Sequence, residues 1–407
     1  MERNKKISKY ILITSMNFPS GGAGATYLNL FCRGLKSNGC DIKVYLLKGF
    51  AFGNFKYDGP RENVTNEGIP YKYLGFRQRP DNYILKIFDE LSSLLRLLFL
   101  LPSLIPGRNR THILIYSSEV QYNIPIQTFT RLTGIKLTKF VPEIIDKSEF
   151  NGSVFRQVKR YGYNFNYRYL NKRADKLIVF SSYLKDEYLK MGYKDMDIIV
   201  QPNLTDFSFW EPSEGEVKYD LGYSGAPYLK DGLHDLFTAI SILKKQDIRA
   251  TLLIIGDATF GESLIPPLKI VCEQLGILDN ITFTGLVDSG MVKQYLSQCR
   301  MLAITRPSTI QTKAGFPTKL GEYYASRRPV LATNFGDMEK YFVDKQDIVM
   351  AKCGDPESIA EKIEWMIKNR DSLEQISVRG YKRAVDLLEY EHSVKRILDL
   401  LESPSVN

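Results

Sequence analysis

Residues 10–47 read YILITSMNFPSGGAGATYLNLFCRGLKSNGCDIKVYLL, and this stretch decides the fold class. The apolar run Tyr10–Thr14 predicts a strand, and the small residues Ser20–Thr26 predict a tight loop. An amphipathic segment then predicts a helix to about Lys36, and Asp41–Leu47 predicts a second strand. Strands that alternate with helices form parallel sheets, so the stretch predicts the start of a doubly wound α/β domain.

The same alternation continues along the chain and restarts near Tyr219. Further predicted strands are His112–Tyr116, Leu137–Val141, Leu177–Phe180, Ala250–Ile255, Ile281–Thr284, Met301–Ile304 and Val330–Ala332. Residues 203–215 (NLTDFSFWEPSEG) are rich in turn formers and predict a linker. We therefore expect two doubly wound Rossmann-like domains, residues 1–205 and 206–385, with a C-terminal helix within 386–407 that packs back on the first. Parallel sheets bind ligands at the carboxyl ends of their strands, so a cleft between the two facing domains is the expected site.

Composition limits the class of protein. The chain has 407 residues, of which 44% are hydrophobic and 25% charged, as in a globular protein of two domains. Its five cysteines are scattered and include no CxxC pair, which favours reduced thiols over a disulfide framework or a metal site. Residues 1–200 hold 31 Lys and Arg against 17 Asp and Glu, net +14, whereas the remainder is net −5. The first half is thus expected to meet an anionic partner, such as nucleic acid, a lipid headgroup or a diphosphate-linked acceptor.

One apolar segment raises the question of membrane contact. The run Leu94–Ile105 is interrupted by Arg96 and Pro102 and is too short to span a bilayer, so we expect a cytoplasmic protein. Residues 84–101 (ILKIFDELSSLLRLLFLL) predict either a core helix of the first domain or a helix lying on an anionic bilayer. The basic and aromatic run at residues 156–173 supports the second alternative. It would also suit RNA, but no RNA-binding motif accompanies it, so no nucleic-acid partner is expected.

The glycine-rich loop of the first domain does not complete a dinucleotide-binding pattern. Its glycines Gly22 and Gly24 are followed by Tyr27 where a third glycine is needed, and the next strand leads to Lys48 without an acid for a ribose. Two interpretations remain open. The loop is a turn without a ligand, or it lines the cleft with Gly22 close to a phosphate or an acceptor.

Two segments of the second domain have the character of an anion site. In YSGAPYLKDG, residues 223–232, Lys230 precedes a predicted helix, where a cation does not favour the helix dipole. It faces an anionic ligand or is a solvated loop lysine. In AGFPTKLGEYYA, residues 314–325, a loop-to-helix junction offers N–H donors to a diphosphate. Glu322 in that helix either accepts hydrogen bonds from a ribose diol or lies on a solvated face.

The order and spacing of these segments resemble the family-4 retaining glycosyltransferases of GT-B architecture. Their signature is a Glu, a Gly-Phe pair, a second Glu eight positions after the first, a small residue and a Pro-Val pair. The chain matches it at Gly315-Phe316, Glu322, Ala325 and Pro329-Val330. Four further segments resemble the family more weakly. They are the glycine-rich loop (Gly21–Gly24), the strand that closes the first domain (Ala174–Ser182), the diphosphate-lysine loop (Gly225–Gly232) and the base-binding turn (Gly285–Val287).

The resemblance implies transfer of a sugar from a UDP- or GDP-linked donor to a glycan or polyprenyl-diphosphate-linked acceptor, with retention of configuration, in surface polysaccharide or glycoconjugate biosynthesis. No cofactor and no metal are expected. Lys230 would contact the diphosphate and Glu322 the ribose. The remaining implied donor contacts are Gly315, Phe316, Pro317 and Thr318 near the sugar and phosphates, and Gly285, Leu286 and Val287 at the base.

Two positions depart from the family pattern. Ala314 replaces the first Glu, so Gln311, Thr312 or Lys313 substitutes for it or donor recognition differs. The arginine usual near the start of the lysine loop falls close to Gly225, so its charge is missing or comes from Arg306 or Lys319. Arg306 is a candidate by placement alone.

Catalytic candidates on the acceptor side are Glu143 and Asp146, directly after a strand of the first domain. Their alternative is a loop carboxylate paired with a neighbouring lysine. Two other functions remain open: a catalytically inactive GT-B binding or scaffold protein, which Ala314 favours, and a sugar-nucleotide-processing enzyme such as an epimerase.

Overall fold

Strand β1, Lys9–Thr14, lies inside a sheet and pairs in parallel with a strand on each side. Its residues from Tyr10 onward are buried, as expected of a strand whose sheet is covered on both faces. This structure, a computed structural model, describes residues 9–53, 55–144, 154–212 and 215–402. Contacts divide the chain into two units, Met1–Gln201 with Tyr390–Asn407, and Pro202–Glu389.

The first unit is built on an eight-stranded sheet with the order β3-β4-β2-β1-β5-β6-β7-β8. It is parallel except for the pair β3–β4. The strands after β1 are β2 Asp41–Leu46, β3 Glu62–Val64, β4 Pro70–Tyr73, β5 Thr111–Tyr116, β6 Lys136–Val141, β7 Lys176–Val179 and β8 Ile198–Val200. The helices of this unit are α1 Ala23–Ser37, α2 Tyr83–Leu100, α3 Val120–Thr133, α4 Val154–Phe165 and α5 Ser182–Lys190.

The second unit is built on a six-stranded parallel sheet with the order β11-β10-β9-β12-β13-β14. Its strands are β9 Tyr219–Ser224, β10 Leu252–Ile255, β11 Ile281–Phe283, β12 Cys299–Ile304, β13 Val330–Thr333 and β14 Val349–Ala351. Its helices are α6 Leu233–Lys245, α7 Ile265–Gln274, α8 Ser289–Ser297, α9 Ile310–Ala314, α10 Thr318–Ala325, α11 Met338–Tyr341, α12 Pro356–Lys368 and α13 Arg370–Leu388. The prediction of two doubly wound α/β domains is confirmed.

The core of the second unit lies on both faces of its sheet. Leu252 and Ile254 of β10 join the apolar cluster on one face, and Leu253 and Ile255 join the cluster on the other. Successive side chains of a strand point to opposite faces, so a strand covered by helices on both sides needs an unbroken apolar run. Strand β10, Leu252–Ile255, has such a run.

The boundary between the units lies at Gln201 and Pro202, before the linker expected at 203–215. The residues that follow are anchored within the second unit, since the side-chain amide of Asn203 donates to the carbonyl of Phe316, and the N–H of Thr205 donates to the carbonyl of Leu388 at 2.8 Å. After α13, the last helix, α14 Tyr390–Glu402, returns to the first unit and packs on α1, with Gly34 against Val394.

Helix α2 directs a mixed polar and apolar side inward. Its buried residues are Asp89, Ser93 and Leu97, whereas apolar side chains such as Phe88 and Leu95 are exposed. The segment contributes Leu97 and Leu101 to the core of the first unit, but most of its apolar side chains face solvent. No described helix combines the length and the hydropathy needed to cross a membrane.

Buried Asp89 fixes this orientation. Its carboxylate accepts hydrogen bonds from the N–H of Phe76 at 2.6 Å and from Nη1 of Arg79 at 3.1 Å. Farther along, Arg96 donates to the carbonyls of Leu74 and Gly75. These contacts tie two turns of α2 to the segment that follows β4.

We predict that Asp89→Ala lowers the free energy of unfolding of the first unit by about 3–5 kcal/mol, because it leaves a partly buried N–H and a largely buried guanidinium without their acceptor. Urea denaturation followed by circular dichroism measures the change. Glu90→Ala is the matched control, since Glu90 pairs with the same arginine at 2.6 Å but is more exposed. Its loss should stay under about 1 kcal/mol. Equal losses in the two variants would contradict the role given to Asp89.

Candidate functional site

The carboxyl edge of the second sheet brings together the loops that follow β9 and β12. These strands are neighbours, and the chain moves outward from them in opposite directions, so the edge between them is a topological switch point. Open parallel sheets bind ligands at such points. The loop after β9 is Gly225–Gly232, and the segment after β12 runs from Thr305 to Pro317.

A buried carboxylate, Asp231, joins these two loops. Oδ1 of Asp231 accepts from Nε and Nη2 of Arg306 at 3.2 and 3.1 Å, and from Nζ of Lys319 at 3.0 Å. Burial opposes ionisation of Asp231, but Lys319 and Arg306 outweigh it and hold the pKa of this carboxyl below its ordinary value. Two cations on one carboxylate leave this cluster with a net charge of +1.

Backbone contact holds the two loops at this distance. Gly232 has φ of +69°, and a Cβ there would lie 1.9 Å from the carbonyl oxygen of Thr305. Only glycine permits this approach. The hydroxyl of Thr305 in turn donates to the carbonyl of Gly232 at 3.1 Å. Beyond it, the hydroxyl of Thr333 at the end of β13 donates to the carbonyl of Arg306 at 2.6 Å.

Lys319 is buried against an aromatic ring. Its Nζ lies 3.9 Å from the centroid of Tyr223 and donates to the phenol oxygen of that residue at 2.8 Å. Burial lowers the pKa of the Lys319 ammonium to about 8, although Asp231 opposes the shift. This lysine therefore positions the loops and is not a freely exposed cation.

Glu322 lies one turn after Lys319 on α10. Its side chain is partly buried, and the carboxylate has no hydrogen-bond partner among residues 9–53, 55–144, 154–212 and 215–402. Burial raises the pKa of Glu322 to about 7, and Lys319 offsets only part of that shift. A carboxylate held in this way is an open acceptor for hydroxyl donors of a ligand.

The start of α10 supplies backbone donors. Pro317 precedes the helix, and no side chain caps it, so the N–H groups of Thr318 and Lys319 begin the helix without a side-chain acceptor. The junction is held in place because the N–H of Ser224 donates to the Tyr323 hydroxyl at 2.8 Å, and Phe316 accepts from Asn203. Gly315 is partly exposed beside this junction. Helix starts of this kind favour anions.

The segment around Ala314 offers fewer polar side chains to a sugar than the family signature does. The Ala314 side chain is buried, and the hydroxyl of Thr312 takes part in the capping box of α9 and donates to the carbonyl of Pro307 at 2.6 Å. Thr312 is therefore occupied within the fold. Gln311 is partly exposed and Lys313 is exposed, so both stay predictions as replacements for the missing carboxylate.

Two further predicted contacts lie on loops at the same edge. Lys230 is partly exposed, and its ammonium pairs with no acceptor in the part of the chain that the structure describes. The turn Gly285–Val287 follows β11, two strands away from β9, and its Gly285 forms a bridge to Gly256 at the end of β10. The predicted donor residues of this unit thus share the carboxyl edge of one sheet, although their contacts with a ligand stay predictions.

The catalytic candidates belong to the first unit. Glu143 follows β6 and lines a cavity of about 210 Å³ with Met16, Gly24, Tyr116, Asn166 and Asn171. Gly22, with φ of +96°, is the residue before α1, near the Gly24 wall of this cavity. Asp146 lies outside the described residues. No group of three or more His, Cys, Asp and Glu suited to a metal ion occurs in the described ranges.

Sequence reasoning missed the residue that organises the site. Asp231 is separated by 75 residues from Arg306 and by 88 from Lys319. The available signal was an acid between Lys230 and Gly232 in a loop expected to face an anion. An acid there is unfavourable unless it holds cations in place.

Residues 205–383 match the family described as glycosyl transferases group 1. An uncharacterized glycosyltransferase of Methanocaldococcus jannaschii is 23% identical over 217 residues, which are 53% of this chain and 56% of that protein. The chain therefore spans about half the length of this curated relative.

Solved structures share the whole architecture. Alr3699/HepE of Anabaena in complex with UDP has a TM-score of 0.71 at 17% identity, covering 97% of this chain and 100% of that chain. Sucrose-phosphate synthase of Thermosynechococcus elongatus has a TM-score of 0.71 at 13% identity, covering 97% and 98%. The two-domain fold is the GT-B fold.

We predict a stability effect of Glu322 that depends on pH. The pKa of its carboxyl is about 7 in the folded protein against 4.5 for an ordinary Glu, so the folded state binds more protons between these values. The free energy of unfolding then falls as pH rises from 4.5 to 7. Gln does not titrate, so the free energy of unfolding of Glu322→Gln should rise relative to that of the native protein by roughly 1–3 kcal/mol as pH increases across this range.

Urea denaturation at a series of pH values measures this difference. Glu361→Gln is the control, because Glu361 is exposed on α12 of the same unit. It should follow the native protein at every pH. A Glu322→Gln difference that stays constant with pH would refute the raised pKa.

Proposed function

We propose that this protein, a glycosyltransferase by its GT-B fold and its group 1 domain, transfers a sugar from a nucleotide-sugar donor bound at the carboxyl edge of the second sheet. The product is a glycan or a polyprenyl-diphosphate-linked sugar of a surface polysaccharide or glycoconjugate. The donor is a substrate, and the proposal includes no separate cofactor or metal.

One observation carries the proposal. Glu322 lies one turn after Lys319 on α10, and Lys230 directly precedes Asp231, which already binds Lys319 and Arg306. Neither the Glu322 carboxylate nor the Lys230 ammonium has a partner among the described residues. A nucleoside diphosphate has both complements, a ribose diol for the carboxylate and phosphates for the ammonium. A site for a neutral sugar would not need the cation, and a site for free phosphate would not need the acceptor.

The donor nucleotide is proposed to be UDP or GDP. Alr3699/HepE was solved with UDP and with UDP-glucose, which favours uridine as the first candidate. In this chain the turn Gly285–Val287 would hold the base, at the loop that follows β11. Gly315, Phe316, Pro317 and Thr318 would contact the phosphates and the sugar through the start of α10.

Catalysis in this proposal rests on stabilising the leaving diphosphate. Negative charge grows on the diphosphate as the bond to the sugar breaks, and cations and N–H groups already in position lower that barrier. Lys230 and the uncapped start of α10 supply these groups directly. Arg306 and Lys319 contribute the net positive charge of their cluster with Asp231. We propose retention of configuration, with Glu143 on the acceptor side in the first unit.

Ala314 favours a second candidate function. Its buried methyl group presents no carboxylate to a sugar, so the chain would bind a nucleotide sugar without transferring it. Release of free nucleotide in the presence of glycan acceptors separates the two candidates. A scaffold protein would bind the donor and release none.

We predict that Lys230→Ala and Glu322→Ala weaken nucleotide binding in different ways. Isothermal titration with uridine, UDP and UDP-glucose, and with GDP-, ADP- and CMP-sugars, measures the affinities. Lys230→Ala should lower the affinity for UDP about 10- to 100-fold and change the affinity for uridine little, because it removes a charged contact to phosphate. Glu322→Ala should weaken uridine and UDP by similar factors, because it removes the ribose acceptor.

Lys382→Ala and Glu361→Ala are the matched controls, since both residues are exposed in the second unit away from the sheet edge. Both should bind as the native protein does. Failure to bind any of these nucleotide sugars would overturn the donor proposal. Loss of uridine binding in Lys230→Ala would contradict the role assigned to the lysine.

A further inference from the structure

Helix α2 presents a continuous apolar face to solvent. Ile84, Phe88, Leu91, Leu95 and Phe99 recur at helical spacing, and the first, second and last of them are 62%, 56% and 81% exposed. Leu98 extends the same face. Single exposed apolar residues are normal on a protein surface, but a stripe that runs over about four turns of helix indicates an interaction surface.

This face cannot turn inward within the fold. The opposite side of the helix holds Asp89, bonded to Arg79 and to the N–H of Phe76, and Arg96, bonded to the carbonyls of Leu74 and Gly75. A rotation of α2 that buried the apolar stripe would break these contacts. The polar groups would lose their partners within the fold. The orientation of α2 is therefore a property of the fold, and the apolar stripe needs a partner from outside.

Cations continue the surface at the end of the helix. The 3₁₀ segment Leu101–Arg110 follows α2 directly and packs on it. It carries the exposed residues Ile105, Arg108 and Arg110 and no acidic residue. The apolar stripe thus ends in a cationic segment, a combination that suits an apolar layer bordered by anionic groups.

A second helix of the same unit has the same character. On α4 and the π-helical turn that follows it, Val158, Tyr161, Phe165 and Tyr169 form an exposed apolar stripe. Arg168 is exposed beside this stripe. Helix α3 contacts both α2 and α4, so the two stripes belong to one layer of helices.

We propose that this layer is a docking surface for an anionic lipid bilayer, with the apolar stripe of α2 inserted among the acyl chains and the arginines among the headgroups. The charge of the first half, net +14 for residues 1–200, complements such a surface. The same charge disfavours a second copy of this chain, because two positive surfaces would repel each other on the way to contact. The proposal is independent of the donor site, which lies in the other unit.

Co-sedimentation of the full chain with vesicles tests the proposal. The vesicles are phosphatidylcholine alone, or phosphatidylcholine with roughly one third phosphatidylglycerol. We expect binding to the anionic vesicles that weakens as salt rises, and weaker binding to the neutral ones. Phe88→Ser with Leu95→Ser should lower the affinity for anionic vesicles at least about tenfold, because it removes two large apolar side chains from the inserted stripe.

A second variant tests the charged part of the surface and stays informative if the first fails to fold. Arg108→Gln with Arg110→Gln should lower binding by about fivefold per charge and flatten its salt dependence. Ile270→Ser with Val378→Ser is the control, since both residues are exposed and apolar but lie in the second unit. It should bind vesicles as the native protein does. Nucleotide binding should be unchanged in all three variants.

Three results would overturn the proposal. The native chain does not bind anionic vesicles, or the Phe88 and Leu95 variant binds them as tightly as the native chain. Alternatively, sedimentation velocity shows a dimer of the native chain that this variant dissociates, in which case a second copy covers the stripe.

Discussion

The buried carboxylate of Asp231 is the contact on which the carboxyl edge of the second sheet depends. It joins the loop after β9, the segment after β12 and helix α10, which are distant in sequence. A buried charge without partners is too costly to keep, and two unpaired cations at this depth would repel each other. The three groups therefore stabilise one another only together, and their mutual attraction fixes the shape of the sheet edge.

This arrangement explains why Glu322 remains available. Lys319, one turn earlier on α10, is the nearest natural partner for its carboxylate, but Nζ of Lys319 is directed to Asp231 and Tyr223. Lys319 therefore attracts the Glu322 carboxylate without a hydrogen bond, and burial has the larger effect on the pKa of Glu322. A fold optimised for stability alone would pair such a carboxylate. Its open state indicates a site in which a ligand completes the hydrogen bonds.

The sequence predicted the sheets well and the site only in part. Buried parallel strands such as β10 need an unbroken apolar run, and that local requirement is visible in the residues themselves. Gly315, Phe316 and Glu322 could be predicted as site residues because a local spacing carries them, and they stay predictions. Asp231 was not predicted, because its role exists only once residues 75 and 88 positions away are brought to it. Likewise, Thr312 was a candidate to replace the carboxylate lost at Ala314, and only the structure shows its hydroxyl engaged in a helix cap.

Helix α2 shows the same physical rule in the first unit. The apolar spacing of residues 84–101 predicts a helix correctly but favours burying its apolar side, since periodicity alone does not say which face meets the core. Asp89 and Arg96 hold the observed orientation, because turning the helix would separate a buried carboxylate and a guanidinium from their partners. In both units a carboxylate inside the fold determines what faces outward. In one it leaves Glu322 without a partner among the described residues, and in the other it leaves an apolar stripe on the surface. A few buried polar contacts thus decide which side chains each unit presents to a ligand or to another surface.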